Sequence, residues 1–261
     1  MTDDTDKYYH GTVNLTYGDG RTYNGNFANG EPHGHGKMTF PGQPHESIYI
    51  GEFHKGLMHG KGTLMVPTLG KYIGQFQNGQ RDGEGTFLQP NGTLYEGQFK
   101  NGELHGTGIF KRPDGSIEYE GTVDNGKRHG EGTAYLPNGS ILYKGGWQTN
   151  EPHGKGVMNY ANGNIYNGEW VDGNRHGQGR MTYANNNEVY DGEWRDDRRC
   201  GKGMITFPNG DVFRGEWASR QQQEEEEERK RNVSSQNNCD DDDDVEESGL
   251  VAKRTKVEVS P

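Results

Sequence analysis

The chain has 261 residues, but only 28% are hydrophobic and 43 are glycine, so it lacks the aliphatic bulk that fills an ordinary two-layer core. Aromatic residues still make up 10%, with 14 Tyr, 9 Phe and 4 Trp, which excludes a simply disordered chain and predicts rings stacked on glycines. The formal charge of −11 is concentrated in residues 218–261, which hold 7 Lys/Arg against 13 Asp/Glu, and this acidic balance argues against nucleic-acid binding and against electrostatic attachment to anionic lipid.

Residues 1–8 read as a flexible N-terminus. Their acidic start is unlike a signal peptide, and no apolar run approaches the roughly 18 residues of a membrane span. Two cysteines, Cys200 and Cys239, do not make a disulfide framework. A reducing, cytoplasmic setting is expected.

From residue 9 to residue 217 the chain repeats itself. Tyr23, Tyr49, Tyr72, Tyr95, Tyr119, Tyr143, Tyr166 and Tyr190 are followed by Phe213, at intervals of 23 to 26 residues. Two residues after each comes glycine, and two further on comes Phe27, Phe53, Phe76, Phe99, Val123, Trp147, Trp170, Trp194 or Trp217. Each full unit closes on a Gly-x-Gly pair, from Gly34/Gly36 to Gly201/Gly203. Tyr-x-Gly-x-Phe/Trp has period two, so the rings share one face of a strand while Glu52, Gln75, Glu169 and Glu193 point to the other. Asn-Gly or Asp-Gly follows at Asn29, Asn78, Asn101, Asn125 and Asp172, as a tight hairpin turn requires. A second strand then runs through segments such as 36–40, 108–110 and 179–183. Further turns such as Pro90-Asn91-Gly92 and Pro137-Asn138-Gly139 separate the units. Connections this short make successive strands antiparallel neighbours. The prediction is an all-β, elongated, single-layer twisted meander of eight full repeats plus terminal fragments, stabilised by stacking of each unit on the next.

The phrase from Tyr95 through Gly97, Phe99, Gly102, His105 and Gly106 to Gly108, with its counterparts at Tyr49, Tyr119 and Tyr166, closely resembles the MORN repeat (membrane occupation and recognition nexus). The resemblance implies a single-layer sheet with an aromatic-lined groove, used for protein or lipid attachment. Departures are local. Asp82 and Cys200 stand in a position usually held by His, Asn150 replaces Gly, Val123 replaces a ring, and a loop over residues 41–47 lengthens the first interval.

Six histidines at equivalent positions, His33, His59, His105, His129, His153 and His176, suggest a metal ladder. Equivalent positions lie two strands apart, about 9–10 Å, whereas Zn–N bonds of about 2.1 Å require convergence. A structural role at the turn before Gly-x-Gly is expected instead, for Cys200 as well, although Arg198 and Arg199 beside that thiol raise the question of a lowered pKa. Gly-Lys-Gly pieces at Gly60, Gly154 and Gly201 lack the remaining parts of a phosphate loop. No catalytic residues, metal or cofactor are assigned, and no enzyme activity is expected.

The favoured binding element is the aromatic row of the C-terminal half: Trp147, Trp170, Trp194 and Trp217 with Tyr143, Tyr166 and Tyr190. In a single layer these rings are expected to remain partly open and to anchor a helix or an extended peptide. After Trp217 the spacing allows a short helix over 218–231, supported by Glu225–Arg229, Glu226–Lys230 and Glu227–Arg231, and an acidic disordered tail over 232–261. Basic runs at Arg229 and Lys253 are too short to argue for nuclear import. The expected function is a non-catalytic scaffold holding a protein partner, without nucleic acid, in a cytoskeletal or ciliary axonemal assembly of radial-spoke type. The C-terminal edge strand at Phe213 to Trp217 could pair with a second copy in a homodimer or be covered by the segment that follows it. The alternative is a peripheral membrane adaptor binding phosphoinositide, for which Arg175, Arg198 and Arg199 supply only a small patch beside Asp172, Asp196 and Asp197.

Overall fold

A computed structural model describes residues 11–42 and 45–218. The helix expected at 218–231 and the acidic tail fall, but for Ala218, outside the described residues, as do residues 1–10. Every regular element among the described residues is a β-strand. The contacts divide the chain into two compact units, with the boundary between Glu151 and Pro152.

The first unit is a meander of twelve strands: β1 (Gly11–Thr16), β2 (Thr22–Ala28), β3 (Glu31–Phe40), β4 (Ser47–His54), β5 (Leu57–Val66), β6 (Gly70–Gln77), β7 (Gln80–Leu88), β8 (Leu94–Lys100), β9 (Glu103–Lys111), β10 (Ile117–Asp124), β11 (Lys127–Tyr135) and β12 (Ile141–Gln148). The second unit continues the pattern with β13 (Glu151–Asn159), β14 (Ile165–Val171), β15 (Asn174–Thr182), β16 (Val189–Arg195), β17 (Arg198–Thr206) and β18 (Val212–Trp217). Within each unit every strand pairs antiparallel with its sequence neighbour. The expected fold class is thus the observed one, a single-layer antiparallel meander.

The hairpin turns have the expected chemistry. Gln77 faces Gln80 across Asn78 and Gly79, whose φ values are 49° and 84°, the left-handed pair that a two-residue turn requires. Between repeats, Asn91, Asp114, Asn138, Asn162 and Asn209 accept the N–H two residues on through Oδ1, closing the loop.

The expected turn at the histidine position is instead a bulge inside the second strand of each hairpin. Gly51 faces Gly62 but Glu52 faces His59, so Gly60 and Lys61 are extra residues. Gly60 adopts φ 57°, and the bulge leaves the Lys61 N–H without a ladder partner. Glu52 Oε1 accepts it at 3.0 Å. Gln75, Gln98, Glu169 and Glu193 do the same for the N–H of Glu84, Thr107, Gln178 and Lys202, at 2.8 to 3.4 Å. These residues were read only as an outward polar row; they cap the bulges. That outward face is also less polar than expected in β4 and β6, where Ile50 and Ile73 are exposed.

The tyrosine side chain lies along its own strand, with the Tyr49 hydroxyl reaching the Glu52 carbonyl. Residues four apart on a straight strand are separated by about 13 Å, yet Tyr49 and Phe53 have ring centroids 5.0 Å apart, as do Tyr166 and Trp170. The ring at the second position folds back onto the tyrosine at the first.

Candidate functional site

The eight repeat tyrosines are at most 2% exposed. Each lies across a cross-strand glycine pair. A Cβ placed on Gly62 would sit 2.4–2.6 Å from the Tyr49 ring, and on Gly179 it would sit 2.2–2.6 Å from Tyr166. The phenol donates to the carbonyl oxygen three residues on, for example Tyr72 to Gln75 at 2.9 Å and Tyr190 to Glu193 at 3.0 Å. Burial pushes these phenols above their usual range, Tyr72 and Tyr119 to about 12, because a phenolate has no solvation there.

Edge-to-face contacts carry the ring stack between repeats. Tyr72 meets Phe76 and Phe99 at 5.1 and 4.7 Å, and Tyr166 meets Trp170 and Trp194 at 5.0 and 5.4 Å. At Val123, where the ring is missing, Phe110 leans in between Tyr95 and Tyr119 at 4.9 and 6.0 Å.

The expected open strip is therefore closed. Trp147 is 6% exposed and Trp170 and Trp194 are 3%, while Tyr143, Tyr166 and Tyr190 are at 0%. The indole N–H groups donate to the carbonyls of Gly132, Gly156 and Gly179 at 2.9 to 3.2 Å. Only Trp217, on the last described strand, is half-buried. The physical cause is that each tyrosine lies along its strand with the next ring folded back onto it, together with a cover that the sequence reading missed. Nine residues after the tyrosine, Arg81, Arg128, Arg175 and Arg199 lie over the rings, with Arg175 Cζ 4.4 Å from the Trp194 centroid and Arg199 Cζ 4.6 Å from that of Tyr190. The fixed offset from the tyrosine is the signal that could have revealed them.

The tyrosine face opens beside the Tyr72 repeat. Between the hairpin turns at Gly79 and Gly102 and the loops at Leu69 and Pro90 lies a groove of about 670 Å³. Leu64, Val66, Tyr72, Phe76 and Phe87 line it, and Leu69 on its rim is 63% exposed. Of the lining residues, Arg81 alone carries a formal charge. Its guanidinium is half-buried, 5.1 to 5.7 Å from the Tyr72, Phe87 and Phe99 centroids, and donates to the Gly102 carbonyl. Burial lowers its pKa and the nearby Glu103 raises it. Apolar walls, aromatic floor and a single cation suit a polypeptide side-chain cluster.

The other candidates take structural places. His105 Nδ1 lies 3.1 Å from Asp124 Oδ1 and His153 Nδ1 lies 3.5 Å from Asp172 Oδ1, each in the following repeat. His105 and His153 thus face the following repeat, whereas His59 packs against His54 across its own hairpin turn. Cys200 is buried, and burial pushes its thiol up despite Arg195, which opposes the activated thiolate considered from its flanking arginines.

Comparison with known families gives one match. A family model described as the MORN repeat fits eight segments, residues 23–43, 49–65, 72–94, 95–117, 119–141, 143–165, 166–188 and 190–212. No curated protein matches the chain.

Proposed function

The chain belongs to the MORN-repeat family, whose repeats are interaction modules for proteins and membranes, and from that premise we propose that it is a non-catalytic scaffold holding a polypeptide partner on its tyrosine face. The groove between Val66, Leu69, Phe87 and Pro90 carries this reading. It exposes apolar side chains on a rigid floor, because the Tyr72 ring is locked over Gly74 and Gly85 and donates to the Gln75 carbonyl, with Phe76 packed edge-on against it. A rigid floor lowers the ordering cost of binding. The row Trp147, Trp170, Trp194 and Trp217 with Tyr143, Tyr166 and Tyr190 acts in this reading as a rigid aromatic bed, with half-buried Trp217 the member best placed to touch a partner. A ciliary or flagellar axonemal assembly is the proposed setting, by analogy with other MORN-repeat chains that carry an acidic tail.

Affinity purification with mass spectrometry on the native chain and on Leu69→Asp tests the reading. Leu69 is too exposed to matter for folding, so β circular dichroism is expected to be unchanged while a defined set of cytoskeletal proteins disappears. An unchanged protein list would exclude the groove. The membrane alternative calls for a cluster of available cations, but of the three arginines of that patch Arg175 is held by Asp197 and Arg199 by Tyr183, which leaves exposed Arg198 alone. Co-sedimentation with phosphoinositide vesicles is expected to fail; pelleting with them would restore that alternative.

A further inference from the structure

Four repeats carry arginine at the ninth residue after the tyrosine, and three of these arginines find a side-chain acceptor within the chain. Arg128 Nη2 donates to Glu118 Oε1 at 2.6 Å, Arg175 Nε to Asp197 Oδ1 at 2.8 Å, and Arg199 Nη2 to Tyr183 Oη at 2.6 Å. Arg81 bonds only the backbone carbonyl of Gly102. Glu103 is near enough to act on it electrostatically but forms no ion pair with it among the described residues.

Alignment of the repeats gives the reason. Asp197 and Gly102 each stand seven residues after their tyrosine, and each donates its N–H to the carbonyl of the arginine concerned, Arg175 at 3.1 Å and Arg81 at 2.9 Å. Where the Tyr190 repeat places a carboxylate, the Tyr95 repeat has no side chain. Gly102 also borders the groove, and a Cβ there would meet nothing within 4 Å. The place that Asp197 fills beside Arg175 therefore stands open beside Arg81, in a groove without other formal charge.

We infer that Arg81 anchors a carboxylate of the partner polypeptide, the side chain of an Asp or Glu flanked by a large apolar residue that enters between Val66, Leu69 and Phe87. The inference rests on the groove as the partner site and specifies its chemistry. A guanidinium offers five N–H donors in one plane, and the rings around Arg81 fix that plane. Carboxylate bonds to it are charge-assisted and are strengthened by the apolar walls. The neutral amide of the same shape gains no ion pair.

The test uses the full chain with methyl-labelled Leu and Val, titrated with two isosteric probes, N-acetyl-Asp-Phe-amide and N-acetyl-Asn-Phe-amide. Both are expected to shift the methyl signals of Leu64, Val66 and Leu69. The Asp probe is expected to bind about tenfold more tightly, with a preference that shrinks as salt rises. Arg81→Gln removes the cation, and Gly102→Asp supplies the carboxylate from within. Asp197, with φ 66°, shows that the corresponding backbone accommodates aspartate. Each variant is expected to bring the ratio to about one. Equal binding of the two probes to the native chain overturns the carboxylate anchor and leaves the groove standing. No methyl shift with either probe overturns both.

Discussion

The repeats beginning at Tyr72 and Tyr166 share a backbone plan but not a surface. Both bury the tyrosine over a glycine pair, fold the next ring onto it and cover the stack with an arginine. In the second unit that arginine is completed by Asp197, and Tyr183 from the preceding loop performs the same service for Arg199. In the first unit the corresponding places hold Gly102 and Val66, and the face opens into a groove. Side chains that reach across from loops and turns, rather than the strands, decide whether a repeat is closed or receptive. The two regions thus divide the work of holding the fold and presenting a surface.

The largest expected effect tests what the regions share. The neutral tyrosine ladder contributes stability that is fully present below the unfolded phenol value near 10. That contribution is lost as pH rises through the folded value, about 12 for Tyr23, Tyr72, Tyr95 and Tyr119 and higher for Tyr49, Tyr143, Tyr166 and Tyr190. Cooperative loss of β circular dichroism together with tyrosinate absorbance is expected above about pH 10. Titration without unfolding would show that the rings do not hold the sheet. Next, Trp194→Ala removes a ring packed against Tyr166 and Tyr190 and is expected to cost about 3–5 kcal/mol in urea unfolding. Gly179→Ala drives a methyl into the Tyr166 ring, at a cost of about 1–3 kcal/mol or more. Truncating the bulge cap in Gln98→Ala is expected to cost about 1 kcal/mol. Leu69→Asp should stay within about 0.5 kcal/mol, and a cost there comparable to Trp194→Ala would erase the distinction between the closed and receptive regions.

The hairpins were legible because their determinants are local. Asn78-Gly79 sets its turn within four residues, and Tyr-x-Gly-x-Trp sets a face by period two alone. The ring arrangement was not legible: alternation sets the face of a side chain but not that Tyr166 lies flat along its strand over Gly168 and Gly179. Once it does, the neighbouring indoles pack edge-on against it, which is why Trp170 and Trp194 left the expected binding surface. The groove was harder still, since it is made by what Gly102 lacks and what Asp197 has. That difference emerges only when repeats are compared position by position and the arginine nine residues after the tyrosine is treated as part of the pattern.

Within each unit, every strand pairs with the strand made just before it and the one made just after it. Sheet proteins usually fold slowly because their contacts join distant parts of the chain and the loop entropy must be overcome first. Here no strand has to wait for a partner from elsewhere in its unit. Each hairpin gains stability by docking its ring on the tyrosine of its predecessor, so within a unit order can spread from one hairpin to the next, as in other repeat proteins, although the product is entirely β.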